Sequence, residues 1–286
     1  MRRKLAELDR LDTLGHPLIA QPAPRRRASG SQRALSLGVT AALVGAGAFV
    51  YDDWWAMAGP LITGRPPEVR NVSTTPLGVP PTQTSTSTDY AFMATRPGFS
   101  DEPVTFSPCK VIHVVVNSAE APPGADGLLR EALTRVSAAS GLVFTVEGET
   151  TEPPTKDRGP RDEARYGDRW SPVLVAWTDP SVVPELKGNI AGIGGPVPGT
   201  RSISSSQRWV SGIVYLDGPA MSSIVRRPYK GWAQARAIVQ HELAHLVGLT
   251  HVESRAELMN AKNDSGMLDF GPGDLEGLRR LGSGTC

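Results

Sequence analysis

The residues with the clearest chemical meaning lie between Gln240 and His251, in the run QHELAHLVGLTH. Within it stands His241-Glu242-x-x-His245. On a helix, residues i and i+4 lie one above the other on the same face. Two imidazoles so placed can hold one zinc ion, with Zn–N distances of about 2.0–2.1 Å. Glu242 follows the first histidine directly. Its carboxylate can therefore reach a water beside the metal, where a general base for hydrolysis must sit. A catalytic zinc keeps three protein ligands and one open position. His251 is the candidate third ligand, although a continuing helix would carry it past the ion. Gly248 removes that difficulty, because glycine takes φ > 0 readily, ends the helix and turns the chain back. These residues predict one catalytic zinc on His241, His245 and His251, with Glu242 as the base.

The run HELAHLVGLTH resembles the signature of the metzincin zinc endopeptidases. Metzincins carry a Met-turn beneath the zinc, and Met259 in AELMN would supply it. Its spacing of eight residues after His251 looks most like the matrixin branch. The tail GPGDLEGLRRLG (271–282) is similar to the matrixin C-terminal helix. The resemblance covers about residues 109–286 and is strongest over 232–282. It implies a zinc metalloendopeptidase acting on protein or peptide substrates. It also implies that NIAGIGGPV (189–197) is a sheet edge to which an extended substrate adds. That assigns Ile190, Ala191, Gly192, Ile193, Gly194 and Gly195 to the substrate strand. Asn260-Ala261 departs from the matrixin pattern of a bulky residue and Pro. No Tyr stands two residues after Met259, so an astacin-like fifth ligand is not expected. Of the other histidines, His16 lies far upstream and His113 reads as an ordinary strand residue. A second, structural zinc is therefore not expected, and no sequence pattern indicates calcium.

The elements that must position these residues follow from periodicity. KVIHVVVN (110–117), LVFTVEG (142–148), PVLVAW (172–177) and WVSGIVYLD (209–217) are dense in β-branched residues and read as strands. Residues 126–140 carry apolar side chains at helical spacing, closed by Gly141. Residues 232–249 form a long helix that carries the histidines, and 274–281 a short closing helix that Asp274 caps. Residues 149–170 are charged and Pro-rich and read as an exposed loop. Strand runs with few helices between them predict an α+β domain with a twisted mixed sheet.

Upstream the organisation changes. Residues 1–33 are rich in Arg, and 34–51 (ALSLGVTAALVGAGAFVY) carry no charge at all. A bilayer core takes about 20 apolar residues, with roughly 17 as the lower limit. Basic residues before the segment, and Trp54-Trp55 after it, predict a single-pass membrane anchor with a cytoplasmic N-terminus. The competing reading is a signal peptide cleaved after Ala56-Met57-Ala58. Either way, the rest of the chain lies outside the cytoplasm. Residues 52–108 are punctuated by Pro and by TQTSTST (82–88), which predicts a semi-extended, disordered linker. The catalytic domain is then 109–286.

Two cysteines exclude both a cysteine-rich scaffold and a four-cysteine zinc site. Cys109 and Cys286 bracket the domain, and an oxidising compartment favours their pairing; two unpaired thiols are the alternative. With Lys plus Arg at 30 and Asp plus Glu at 29, the chain lacks the basic excess of a nucleic-acid binder. A monomer is expected. The rival reading of function is a catalytically silent zinc-containing module on a membrane stalk. The intact Glu242 counts against it, because loss of the base is the simplest way to silence such a site.

Overall fold

The structure is a computed structural model that describes residues 73–82, 85–96, 98–199, 207–262 and 266–286. The basic block 1–33, the expected membrane span 34–51 and the linker up to residue 72 lie outside the described residues. No helix among the described residues is long and apolar enough to cross a membrane.

A five-stranded mixed sheet forms the centre. Its strands are β4 (Ile112–Asn117), β5 (Phe144–Glu149), β6 (Val173–Thr178), β7 (Gly192–Pro198) and β8 (Trp209–Asp217), in the order β5-β4-β6-β8-β7. β4, β5, β6 and β8 run parallel, and β7 pairs antiparallel with β8 at the edge. β6 is buried at every position, as a central strand covered on both faces requires. Val173, Val175 and Trp177 face one layer, while Leu174 and Ala176 face the other with Val115, Ile213 and Tyr215.

The first layer is helical. α1 (Ala125–Ser140) buries Leu128, Leu129, Ala132, Leu133 and Val136 along one stripe. Gly141 ends it at φ 75, with its N–H donated to Ser137 O. Two further helices lie downstream of a four-residue turn of helix, α2 (Glu163–Tyr166): α3 (Gly218–Val225) and the long α4 (Gly231–Val247). α5 (Pro272–Gly282) closes the chain. The α+β class and the main elements agree with the sequence reading, which did not foresee α3.

Two expectations need correction. The segment 149–170 is not simply an exposed loop. Arg158 and Glu152 are buried and paired, with Arg158 Nε 2.8 Å from Glu152 Oε1 and Nη2 3.1 Å from Oε2. Arg158 also donates to Ser211 Oγ, Gly212 O and Pro172 O. A buried guanidinium needs this many partners, and they pin the loop to the sheet. The second correction concerns the end of the expected linker, 52–108. Residues 91–103 form β1 (Ala91–Phe92), β2 (Thr95–Arg96) and β3 (Phe99–Pro103), and Val104 and Phe106 enter the core. β1 pairs with β9 (Leu249–Thr250), matching Ala91 to Thr250 and Phe92 to Leu249. β1, β2 and β9 are two residues long, and Pro97-Gly98 interrupts the sequence between β2 and β3, so no periodicity announces them. The folded unit therefore begins well before Cys109. Cys109 and Cys286 are joined by a disulfide, with Cα atoms 5.5 Å apart.

Candidate metal centre

α4 presents His241 and His245 on one face, one turn apart. Gly248, at φ 120, ends the helix, and its N–H reaches Ala244 O and His245 O. A Cβ there would meet Leu281 Cδ2 at 3.0 Å and Trp209 Nε1 at 3.2 Å, so any other residue would be strained by its φ and would have to push those side chains aside. The chain then doubles back through β9, held by β1 on its flank and by Met93 N–H bonded to Gly248 O at 2.9 Å. This return brings His251 to the two helix histidines.

The three imidazoles converge on their Nε2 atoms. His251 Nε2 is 3.1 Å from both His241 Nε2 and His245 Nε2. Tetrahedral ligands at about 2.0–2.1 Å from a zinc ion would stand about 3.3 Å apart, close to this spacing. The far nitrogens are already engaged. His241 Nδ1 lies 2.8 Å from Leu258 O, and His245 Nδ1 2.8 Å from Leu249 O. Each Nδ1 must donate to its carbonyl, which fixes the tautomer and leaves Nε2 with a lone pair aimed at the shared point. Burial holds all three below the ordinary histidine pKa, His245 well below it and His251 at about 4; mutual repulsion adds to this at His245 and His251. Three neutral nitrogen donors facing one another suit a divalent cation, and the donor set fits zinc. Among the described residues no other cluster of this kind is present.

Glu242, between the two helix histidines in sequence, lies under β7. Its carboxylate accepts from Gly194 N–H, and burial pushes its pKa up to about 8 against that bond. A Cβ on Gly192 would lie 2.6 Å from Glu242 Cγ, which explains why the strand is glycine-rich. β7 is the sheet edge expected at 189–197, although it begins at Gly192; Ile190 and Ala191 precede it. Ile190 is exposed, and Ala191 O accepts from Asp217 N–H.

Met259 is buried, and its O accepts from Val252 N–H. The residue before it supplies the carbonyl that orients His241. Asp274 does more than cap α5, the role the sequence suggested. Its carboxylate accepts from Gly271 N–H, and also from Leu258 N–H at 2.6 Å and Met259 N–H at 3.4 Å. Burial pushes Asp274 up to about 7, the nearby Glu257 adds to this, and the amide bonds oppose it. Asn260 Nδ2 ties the turn to Val252 O and Glu253 O, just past His251. The orienting carbonyls and the Asp274 anchor left no motif in the sequence. His113, read as a strand residue, pairs with Glu147 at 2.8 Å.

No family model matches the sequence, and no curated protein matches it. Among solved structures the chain is similar to archaemetzincin from Methanopyrus kandleri, at 16% identity and a TM-score of 0.37, over 60% of this chain and 94% of that one.

Proposed function

We propose that this protein is a zinc-dependent endopeptidase of the matrixin-like metzincin type. The observation that carries the reading is the convergence of His241, His245 and His251 on their Nε2 atoms, with Glu242 following the first of them on the same helix. A zinc ion held there would supply Lewis acidity and make a water nucleophilic near neutral pH. The remaining work falls to the chain. Glu242 takes a proton from the attacking water on its carboxylate and delivers it to the leaving amine. Its raised proton affinity suits a group that must both hold and release a proton near pH 7. The free edge of β7 offers backbone N–H and C=O groups to an extended peptide, which would align the scissile bond beside Glu242. We place the domain outside the cytoplasm, behind a single-pass anchor at 34–51. The uncharged segment and its basic flank support this, and a disulfide is at home in such a compartment.

The test uses the zinc-loaded full chain against a broad peptide library. Wild type should cleave, and a chelator should abolish cleavage. Glu242→Gln keeps shape but cannot accept the proton, so cleavage should fall about 10²–10⁴-fold with zinc content unchanged. A zinc-loaded wild type that cleaves nothing would favour the silent binding module. A Glu242→Gln variant as fast as wild type would overturn the assigned base.

A further inference from the structure

A cleft lined by none of the three histidines nor by Glu242 opens where β4, β6 and β8 begin. Its volume is about 810 Å³. Leu77, Phe106, Trp170 and Trp209 supply apolar wall, and Cys109 of the disulfide lies beside them. The charged groups at its rim are unbalanced. Asp168 is taken by Arg161 at 2.8 Å, and Glu147 is taken by both Arg169, at 2.7 and 2.8 Å, and His113. Lys110 and Arg208 also line the cleft, and neither has an ion pair among the described residues. Arg208 uses Nη2 on Thr285 Oγ1 at 3.3 Å, while its Nη1 is buried and finds no partner. Burial lowers the pKa of both cations. Lys110 is lowered further by Arg208, and Arg208 by Arg96.

Ser171 supplies an independent sign. Only 2% of it is exposed, it lines the cleft, and its Oγ has no partner among the described residues. Among the described residues, a buried hydroxyl without a hydrogen bond and two partly desolvated cations without an ion pair each cost free energy. One ligand relieves all three: an anionic head for Lys110, Arg208 and Ser171, with an apolar body against the aromatic walls. Ligand sites commonly have this make-up, a mostly apolar cavity with a few convergent polar groups.

We infer that this cleft binds a small amphiphilic anion, a carboxylate or phosphate carried on an apolar body. The site is independent of the peptidase reading, because it uses neither the histidines nor β7. The experiment is calorimetric titration of the full chain with 2-naphthoate and 2-naphthyl phosphate, with neutral 2-naphthamide and inorganic phosphate as controls. Saturable binding of at least one naphthyl anion is expected, tighter than naphthamide by tenfold or more, and the tighter anion identifies the head group. Lys110→Gln and Arg208→Gln should each weaken it about tenfold, as loss of a charge-assisted hydrogen bond does. Neither removes an ion pair, so both should fold. Ser171→Ala should weaken it less and leave the fold intact. Naphthamide binding as tightly as the anions would overturn the inference, as would inorganic phosphate matching the naphthyl ester. So would anion binding that the Lys110 and Arg208 variants leave unchanged, which is the result expected of an anion held at a metal on the histidines.

Discussion

Gly194 crosses Glu242 so closely that a Cβ on it would lie 2.7 Å from the Glu242 carbonyl carbon and closer still to its oxygen. The edge strand and the helix that carries the ligands are thus in backbone contact. The same glycine donates its N–H to the Glu242 carboxylate. One small residue therefore sets both the height of β7 over α4 and the orientation of the proposed base.

Gly194→Ala should be costly on both counts. The clash is with backbone, which cannot rotate away, so β7 must lift. A loss of about 1–3 kcal/mol is expected from overpacking, read by chemical denaturation. Cleavage should fall at least tenfold, because displacement of a catalytic group by about 1 Å can cost 10²-fold. Zinc content should be nearly unchanged, since the clash falls on Glu242, which is not a ligand. Wild-type stability in Gly194→Ala would contradict the packing described.

Gly248→Ala tests the return of the chain. The backbone there, at φ 120, is strained for any L side chain, and the added methyl meets Leu281 and Trp209. A cost of about 1–3 kcal/mol is expected. The strain falls three residues before His251, so zinc affinity should drop along with stability. Competition with a chromophoric chelator measures the first, and thermal melting the second. A variant that melts lower yet holds zinc as tightly as wild type would separate the turn from the site.

Zinc removal and acid should act on the same three nitrogens. Stripping the metal leaves neutral Nε2 atoms facing one another at 3.1 Å, so the metal-free protein should melt lower, and added zinc should restore it by mass action. Protons compete poorly for these sites. All three histidines are held below 6.5, and His251 reaches about 4. A depressed folded pKa means that the neutral ligand persists above the unfolded value and is lost only as pH falls toward the folded one. Zinc occupancy in equilibrium dialysis should therefore stay flat from pH 8 to below 6.5 and be lost only as pH falls toward about 4, where His251 takes up its proton. Release centred above pH 7 would mean that the ligands are exposed or misassigned.

The degree to which this centre can be read from sequence depends on how local each part is. His241, Glu242, His245 and Gly248 are set by helix geometry over about two turns, so their spacing alone reveals them. The edge strand was legible because NIAGIGGPV is apolar yet glycine-rich, as expected of an edge strand or of backbone that something approaches closely. What stayed hidden is non-local or uses backbone. Ala91–Phe92 pairs with Leu249–Thr250 across more than a hundred and fifty residues of chain, and two-residue strands have no period to detect. Leu258 O and Leu249 O act through carbonyls, which every residue has. Arg158 and Glu152 looked like loop charges, because only the fold shows that both are buried.

The disulfide between Cys109 and Cys286 closes a loop with a sequence separation of 177. In the chain-entropy model, cross-linking so long a loop stabilises by about 4–5 kcal/mol. The double variant Cys109→Ser, Cys286→Ser should lose about 3–5 kcal/mol in denaturant unfolding. The zinc site should survive under native conditions, because neither cysteine approaches the histidines. Peptide mapping without reductant should recover Cys109 linked to Cys286; freely alkylated thiols at both would overturn the pairing.

Asp274 offers the sharpest test of how the turn at Leu258-Met259 supports the centre. Its carboxylate gathers the amides of Leu258, Met259 and Gly271 into one buried cluster. Leu258 in turn gives its carbonyl to His241 Nδ1. The chain of contacts runs from α5 to a ligand without touching the metal. Asp274→Asn keeps the volume but replaces one acceptor oxygen with an NH₂ group, which cannot accept from an amide. At least one of the three bonds must break, and a buried N–H is left facing a donor. The expected loss is about 1–3 kcal/mol of stability. Because Leu258 O then holds His241 less firmly, zinc affinity should fall about tenfold, at the lower end of what loss of an outer-shell partner costs. Asp274→Glu retains both oxygens but is one methylene too long for a fully buried site, so it should destabilise as well and does not rescue. The decisive comparison is with Asp269→Asn, a carboxylate that is paired with Arg135 and bonded to Gln240 but does not touch that turn. If Asp274→Asn lowers zinc affinity more than Asp269→Asn at equal loss of stability, the effect runs through Leu258 and His241. Equal zinc affinities in the two would mean that Asp274 serves only to close α5.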